Sequence, residues 1–424
     1  MTRAARSTQI LIVLAVANLV GYAARNALFA VYPELKVRYG IGDGELGLLQ
    51  TLFMIPHAAA TLPFGWAGDR FDRRRVIAIG LGIASIAGAL GAIGTSYAGL
   101  GASRALVGLG TAAVVPVANS ILGQIFDGPH KASRMSIFNL GLFLGGVVGF
   151  AAGVALGFPL VVVALAVPGL VLSVLIARLP VPPPEADAPA AAEAPDGVLP
   201  YLRYMVRRFA ADARELLRIP TLRWVIVSTT AMAFAAGGYN AWLQEFLVRD
   251  KGMTKDQAAS LLAIALFGGL SGILVGGRVA DRLRARTPSG RLWTIVMGMA
   301  GTVPCAVVAL EIPAGPGLYA AGIATLFFIS WYHAPMAASV DDLAPPGLAV
   351  AAQGLVIFTM HMVGTAPSSW VVGAISEELD LHAAMWVPTG GLVIAAACMA
   401  AATRTFPADA ARARGNGTDP LPSL

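Results

Sequence analysis

The tract GWAGDRFDRRR (Gly65–Arg75) returns as GRVADRLRART (Gly277–Thr287), each copy directly after a long apolar run. Gly65 aligns with Gly277, Asp69 with Asp281, Arg70 with Arg282 and Arg74 with Arg286. The offset (281 − 69) is half of the 424-residue chain. Two halves that repeat one another, each built of apolar runs of about 20 residues, constrain the chain to a pair of related helical bundles spanning a bilayer. Helix is required because lipid offers the backbone no hydrogen-bonding partners.

Composition agrees. Hydrophobic residues make up 57% of the chain and charged residues 13%, whereas a water-soluble surface needs about 25% charged residues. Twelve spans are expected, roughly at 8–33, 45–68, 75–96, 98–126, 132–156, 159–178, 222–248, 256–280, 291–311, 316–341, 348–375 and 383–403. The net charge of +6 sits in loops on alternate sides of successive runs, at Arg70–Arg75, Arg203–Arg223, Arg278–Arg291 and Arg404–Arg414. That asymmetry places both termini and the central linker in the cytoplasm, and it argues against a nucleic-acid partner. The first run is too long for a cleaved signal segment and reads as a retained helix. Cys305 and Cys398 lie inside apolar runs, so no disulfide or metal framework is expected. No nucleophile elbow or phosphate loop appears, so neither an enzyme nor a cofactor is expected.

The expected organisation is an N-terminal six-helix bundle (1–179), a linker (180–221) and a C-terminal six-helix bundle with a short tail (222–424). Pro180–Gly197 is Pro/Ala-rich and reads as extended or disordered. Leu199–Ile219 places Leu202, Met205, Phe209, Leu216 and Ile219 near one face, with arginines on the others. This is the pattern of a basic amphipathic helix at a membrane surface. An internally repeated bundle of this kind is the signature of a secondary transporter.

Further stretches carry a closer resemblance. GxxxDRxxRR after the second span, GLLQTLF before it, SRALVGLG in the fourth span and SRMSIFNLGLFLGGVVGFAAG entering the fifth are similar to spinster proteins of the major facilitator superfamily. FAAGGYNAWLQEFLVRDKGM in the seventh span and MHMVGTAPSSWVVGAISEEL in the eleventh extend the match. The resemblance implies an all-α, twelve-helix, pseudo-symmetric fold and alternating-access transport of an anionic amphiphile, such as a lysophospholipid or sphingoid phosphate, with proton coupling. Within the superfamily an organic-anion or drug efflux carrier is the alternative. A membrane sensor that kept the fold is the alternative outside it. The chain is expected to act as a monomer in a bacterial inner membrane, with lipid and a small amphiphile as its partners. Two family acids are replaced here: the first span reads Ala24-Arg25 where relatives carry Asp-Arg, and Thr111 stands seven residues after Arg104 where relatives carry Glu.

Arg25 and Arg104 are the leading substrate-binding candidates. A guanidinium within a span costs about 2.5–3.5 kcal/mol on insertion scales, so each should face the bundle interior or a polar cavity. Two converging guanidiniums suit a phosphate or carboxylate. The competing role is to bond helix carbonyls and hold the bundle together. Asn18, Tyr22 and Phe29 share the helical face of Arg25, and Thr111 that of Arg104; a cavity lining and a packing stripe both fit. Tyr239, Trp242 and Trp331 are candidates for the substrate's apolar part. His361, His57 and His333 lie within spans and are proton-coupling candidates, His361 also by resemblance. Glu245 reads either as a partner for Arg25 or Arg104 or as a solvated span end. Asp69, Arg70, Arg74, Asp281 and Arg282 of the repeated tracts are cytoplasmic-gate candidates, bridging helix ends. Asp341 and Asp342 either meet basic helix ends or face water. Gly141, Gly145, Gly149 and Gly153 form a four-residue ladder that should seat another helix closely.

Overall fold

The computed structural model describes residues 3–126, 131–181, 198–345 and 347–415. Most of the Pro180–Gly197 stretch lies outside the described residues, as do the side chains of Asp69 and Arg70. The helices are α1 (Arg3–Ala30), α2 (Tyr32–Tyr39), α3 (Asp43–Arg70), α4 (Arg73–Ile93), α5 (Tyr97–Thr111), α6 (Val114–Ile125), α7 (Lys131–Leu156) and α8 (Leu160–Ala177). They continue as α9 (Val198–Leu216), α10 (Pro220–Arg249), α11 (Lys255–Arg286), α12 (Gly290–Glu311), α13 (Pro316–Ile329), α14 (His333–Leu343), α15 (Ala349–Thr359), α16 (Ala366–Glu378) and α17 (Leu381–Gly415). A 3-10 turn, Ser330–Tyr332, joins α13 to α14, and a π-helical turn, Met360–Thr365, joins α15 to α16.

Every expected span is helical. Ten helices are long and apolar enough to cross a membrane, and an eleventh qualifies if α9 and α10, bent by 113° at their junction, are taken together. The helix α3, as long as α1, is not among these; it holds Asp43, Glu45, Gln50, His57 and two prolines. Exposed apolar stripes fit a lipid-facing exterior; on α4, Ile79, Ile86, Leu90 and Ile93 all point outward.

Contacts divide the chain into two compact units. The first is Met1–Asp196 with Ser369–Glu377, and the second is Gly197–Ser368 with Glu378–Leu424. In the first unit α1 packs along α7 and α8, α4 along α5 and α8, and α3 along α5. The expected glycine ladder seats α1 on α7. A Cβ added at Gly141 would lie 2.9 Å from the Ala15 carbonyl oxygen, and at Gly145 and Gly149 it would collide with the carbonyls of Leu19 and Ala23. Close backbone approach of this kind supplies the dispersion energy that drives helix association where lipid removes the hydrophobic force. The stretch Ser369–Glu377 belongs to this unit through Ser376, whose hydroxyl donates to Asp43 at 2.7 Å. The other Asp43 oxygen accepts from Lys36 at 2.8 Å.

In the second unit α10 packs along α17 and the π-helical turn, α11 along α13, and α12 along α13 and α17. Here α11 approaches α13 through Gly268 and Gly272, which meet the backbone of Ile323 and Phe327. The amphipathic segment forms α9 as expected. Its Phe209 ring stands edge-on to Phe358 at 5.4 Å, Leu216 is fully buried, and Arg203, Arg207, Arg208 and Arg214 are exposed.

Candidate functional site

Arg25 and Arg104 converge on one ring. The Arg104 guanidinium carbon lies 5.0 Å from the Phe53 centroid and that of Arg25 lies 5.6 Å from it. The two cations are close enough for their charges to act on one another. Three helices place this cluster: α1 supplies Arg25, α3 Phe53 and α5 Arg104. The α3–α5 approach is fixed by Gly108, where a Cβ would collide with the Phe53 carbonyl. Arg104 is only 6% exposed, and its Nε and one terminal nitrogen are buried without a hydrogen-bond partner, as is Nε of Arg25. Among the described residues no carboxylate pairs with either guanidinium. The π face of Phe53 compensates part of that cost, about 0.5–2 kcal/mol per cation, and leaves donors for an oxyanion.

His57, four residues beyond Phe53 on α3, stacks on it with centroids 5.5 Å apart. Its Nδ1 lies 3.1 Å from the Gly108 carbonyl and 3.2 Å from the Thr111 hydroxyl. Thr111 in turn donates within its own helix, to Val107 or Gly108. Tyr22 lies within electrostatic reach of Arg25. Asn18 is directed elsewhere: its amide donates to the Phe138 carbonyl at 3.0 Å and ties α1 to α7. Phe29 is buried edge-on against Tyr32 at 5.6 Å. The structure thus gathers Arg25, Arg104, Thr111, His57 and Tyr22 in the first unit and gives Asn18 a packing bond. Phe53, at the centre, was not among the residues singled out; its spacing of four from His57 on a helical face was the available signal.

A side cleft adjoins this cluster. It lies between α1, α4, α5 and α8 and is a small cavity of about 40 Å³. Its wall is apolar apart from Arg104, Thr111 and Ser85, and Ser85 donates to the Leu81 carbonyl.

The remaining candidates lie in the second unit. The Tyr239 hydroxyl meets that of Thr389 at 2.5 Å. Trp242 is fully buried, and Trp331 packs on Phe327 and Phe328 with centroids at 5.8 and 5.6 Å. Glu245 is 6% exposed, so it is not a solvated span end. The exposed His333 ring lies 4.0 Å from that of Tyr332. His361 falls within the π-helical turn, a deformation that is frequent at functional sites.

At the repeated tracts Asp72 caps α4. It accepts from the Arg74 backbone at 3.1 Å and from the Arg74 side chain at 2.7 Å, and Arg74 also reaches the Leu179 carbonyl. This pairing holds the Asp72 carboxyl below the usual carboxylate range. Arg73, which sequence reading passed over, is buried and donates to the Gly68 carbonyl and the Gln124 amide oxygen. In the second copy Asp281 and Arg282 are exposed. The ion pairs there run from Asp342 to Arg291 at 2.6 Å and to Arg284 at 3.9 Å, which is the contact with basic helix ends that was one of two expectations for Asp342.

No group of metal ligands occurs among the described residues. The sequence pattern of the Major Facilitator Superfamily matches residues 14–369 and again 225–422, as an internally repeated chain would. The chain is 28% identical over 399 residues to protein spinster homolog 3 of Danio rerio, covering 87% of this chain and 77% of that one. It is 26% identical over 394 residues to the sphingosine-1-phosphate transporter SPNS2 of Danio rerio, covering 87% and 76%. A crystal structure of a bacterial homolog to the human lysosomal transporter spinster, inward-facing and occupied, superposes with a TM-score of 0.79. It covers 95% of this chain and 98% of that one at 18% identity. With a repeated all-helical membrane fold, buried guanidiniums in the first unit and matches along most of its length to spinster proteins, the chain belongs to the Major Facilitator Superfamily as an integral, multi-pass transporter of the spinster family.

Proposed function

We propose that the chain is a spinster-like secondary transporter that moves an anionic single-chain amphiphile, such as a lysophospholipid or sphingoid phosphate, by alternating access. The observation that supports this reading is the Phe53 ring shared by the buried Arg104 and the half-buried Arg25, with Nε of each and one terminal nitrogen of Arg104 lacking a partner. A buried cation without a counter-ion is costly, and a phosphate accepting parallel hydrogen bonds from two arginines offsets that cost. The name of the Danio rerio sphingosine-1-phosphate transporter is in keeping with this class of cargo. Arg25 and Arg104 bind the headgroup, with Tyr22 at its edge. His57 is the coupling group. Its bond to Gly108 fixes one ring nitrogen, and it stands beside Thr111, where the family's usual acid is missing. The asymmetry of basic loops supports cytoplasmic termini, with Asp69, Arg70, Arg74, Asp281 and Arg282 at the cytoplasmic gate.

The test is uptake of a lysophosphatidylglycerol into proteoliposomes. Charge-assisted hydrogen bonds contribute about 1.5–3 kcal/mol each. Arg25→Ala and Arg104→Ala should therefore each lower uptake by about tenfold or more at equal incorporation. Uptake unchanged in both variants overturns the headgroup site. His57→Gln should abolish the response of uptake to an imposed pH gradient, and an unaltered response removes His57 from coupling.

A further inference from the structure

The helix α9 carries two apolar stripes, and the bundle uses one of them. The stripe through Phe209 and Leu216 packs inward: Leu216 is fully buried, and Phe209 and Ile219 join the core formed by Leu222, Val356 and Phe406. A helix that merely tied two halves together would need no more than this face. On the second stripe Leu199, Val206 and Leu217 are 75%, 66% and 42% exposed. Their spacings of seven and eleven residues are about two and three helical turns. The Leu217 N–H still bonds to the Ala213 carbonyl at 2.8 Å, so all three lie in line. Single exposed apolar side chains are ordinary, whereas a continuous apolar strip with a polar rim marks a contact surface.

The rim here is basic. Arg203, Arg207, Arg214 and Arg218 follow one another at four, seven and four residues and form the adjoining stripe. All four are exposed, and none forms an ion pair among the described residues. The acids of the segment lie off this row. Asp212 is half-buried on the inward side, and Glu215 shares the far flank with Arg208, whose guanidinium donates to the Tyr204 hydroxyl at 2.8 Å. Orientation supplies the partner. The chain turns by 113° between α9 and α10, so with α10 crossing the bilayer α9 runs near the membrane plane. Trp224, in the first turn of α10, is exposed, and an indole at a span end sits at the level of the lipid headgroups. An apolar strip bordered by guanidiniums at that level fits a bilayer surface of negative charge. An acidic soluble partner would use the arginines and leave the apolar strip in water.

We propose that this face of α9 is a docking strip for anionic phospholipids of the bilayer in which the chain sits. Leu199, Val206 and Leu217 enter the border of the acyl chains, and Arg203, Arg207, Arg214 and Arg218 bind phosphate oxygens. The inward face holds the helix on the core of the second unit, so lipid charge acts on the segment that leads into α10. The strip is separate from the guanidinium pair of the first unit and does not depend on it.

The experiment is hydrogen exchange of the full-length protein in nanodiscs, read at the amides of residues 199–218. In discs of mixed phosphatidylcholine and phosphatidylglycerol these amides should exchange about tenfold or more slowly than in phosphatidylcholine alone, and raising salt to about 0.5 M should erase the difference. Joint substitution by Arg203→Gln, Arg207→Gln, Arg214→Gln and Arg218→Gln should remove the effect of phosphatidylglycerol, whereas Arg208→Gln, on the opposite flank, should leave it. Val206→Ser should weaken the protection in the mixed discs. Equal exchange in both kinds of disc overturns the proposal, as does protection that survives the fourfold substitution. So does equal protection from inorganic phosphate added to phosphatidylcholine discs, because the row then takes free anions rather than a lipid surface. If the fourfold variant does not fold, the salt titration of the wild type and the Val206→Ser variant decide the matter.

Discussion

Phe53 holds two like charges near one another inside an apolar bundle, and its ring is what makes that arrangement tolerable. Replacing it with leucine keeps the volume class but removes the quadrupole. Phe53→Leu should lower the thermal midpoint in detergent, with a cost of about 1–3 kcal/mol for the two contacts together. Arg104→Met should recover part of that loss in the Phe53→Leu background, because one of the stranded cations is then gone. A double-mutant cycle measures the coupling, and strict additivity would show that the ring acts only as filler. Both arginines were legible in the sequence because a guanidinium within a span is rare and costly. Phe53 was not, since an aromatic residue in an apolar run looks like any other packing residue until the fold shows what lies over its face. Asn18 shows the reverse case: it shares a helical face with Arg25, yet its amide is spent on the Phe138 carbonyl of a neighbouring helix.

At the scale of elements, the start of α4 depends on Asp72, which caps the helix and grips Arg74. Asp72→Ala should cost about 1 kcal/mol at neutral pH. The folded carboxyl sits below its ordinary value through its bond with Arg74. Its contribution is therefore fully present above about pH 4 and is lost as pH falls through the lowered folded value. Thermal midpoints of wild type and variant should differ at pH 7 and converge near pH 2; a gap that persists in acid would show that the cap acts without its charge. The α1–α7 seam gives a second test. Gly149→Leu drives a side chain into the Ala23 backbone and should destabilise by about 1–3 kcal/mol or more. Gly146→Ala, whose added methyl meets only the Asn26 amide at 3.8 Å, should be near neutral. The four-residue ladder was readable directly, because glycine recurring on one face of a span has few other uses. The Asp72 cap was not, since the same residue could equally have met solvent at a span end.

For the molecule as a whole, the alternation of basic and neutral loops predicts which ends of the helices share a side. Val37, on α2 ahead of α3, and Phe71, just beyond the last residue of α3, are both exposed. Val37→Cys and Phe71→Cys should therefore label with an impermeant maleimide from opposite faces of the membrane, Phe71→Cys from the cytoplasmic face. Labelling of both from one side would mean that α3 does not cross. The long apolar helices and the amphipathic helix α9 were legible because hydropathy and charge placement act over many residues. Pairings such as Asp342 with Arg291 and Arg284 were left open, because bridging depends on how helix ends meet in space. The wide turn at Met360–Thr365 has a consequence for how this chain tolerates change. The Ala366 N–H reaches back five residues to the His361 carbonyl, so the eleventh crossing carries one residue more than a regular helix would use there. Excising a residue inside that turn should let the rod close up with both of its arms still aimed as they are. The same excision anywhere else along it would swing Ser376, and with it the bond to Asp43, through about 100°.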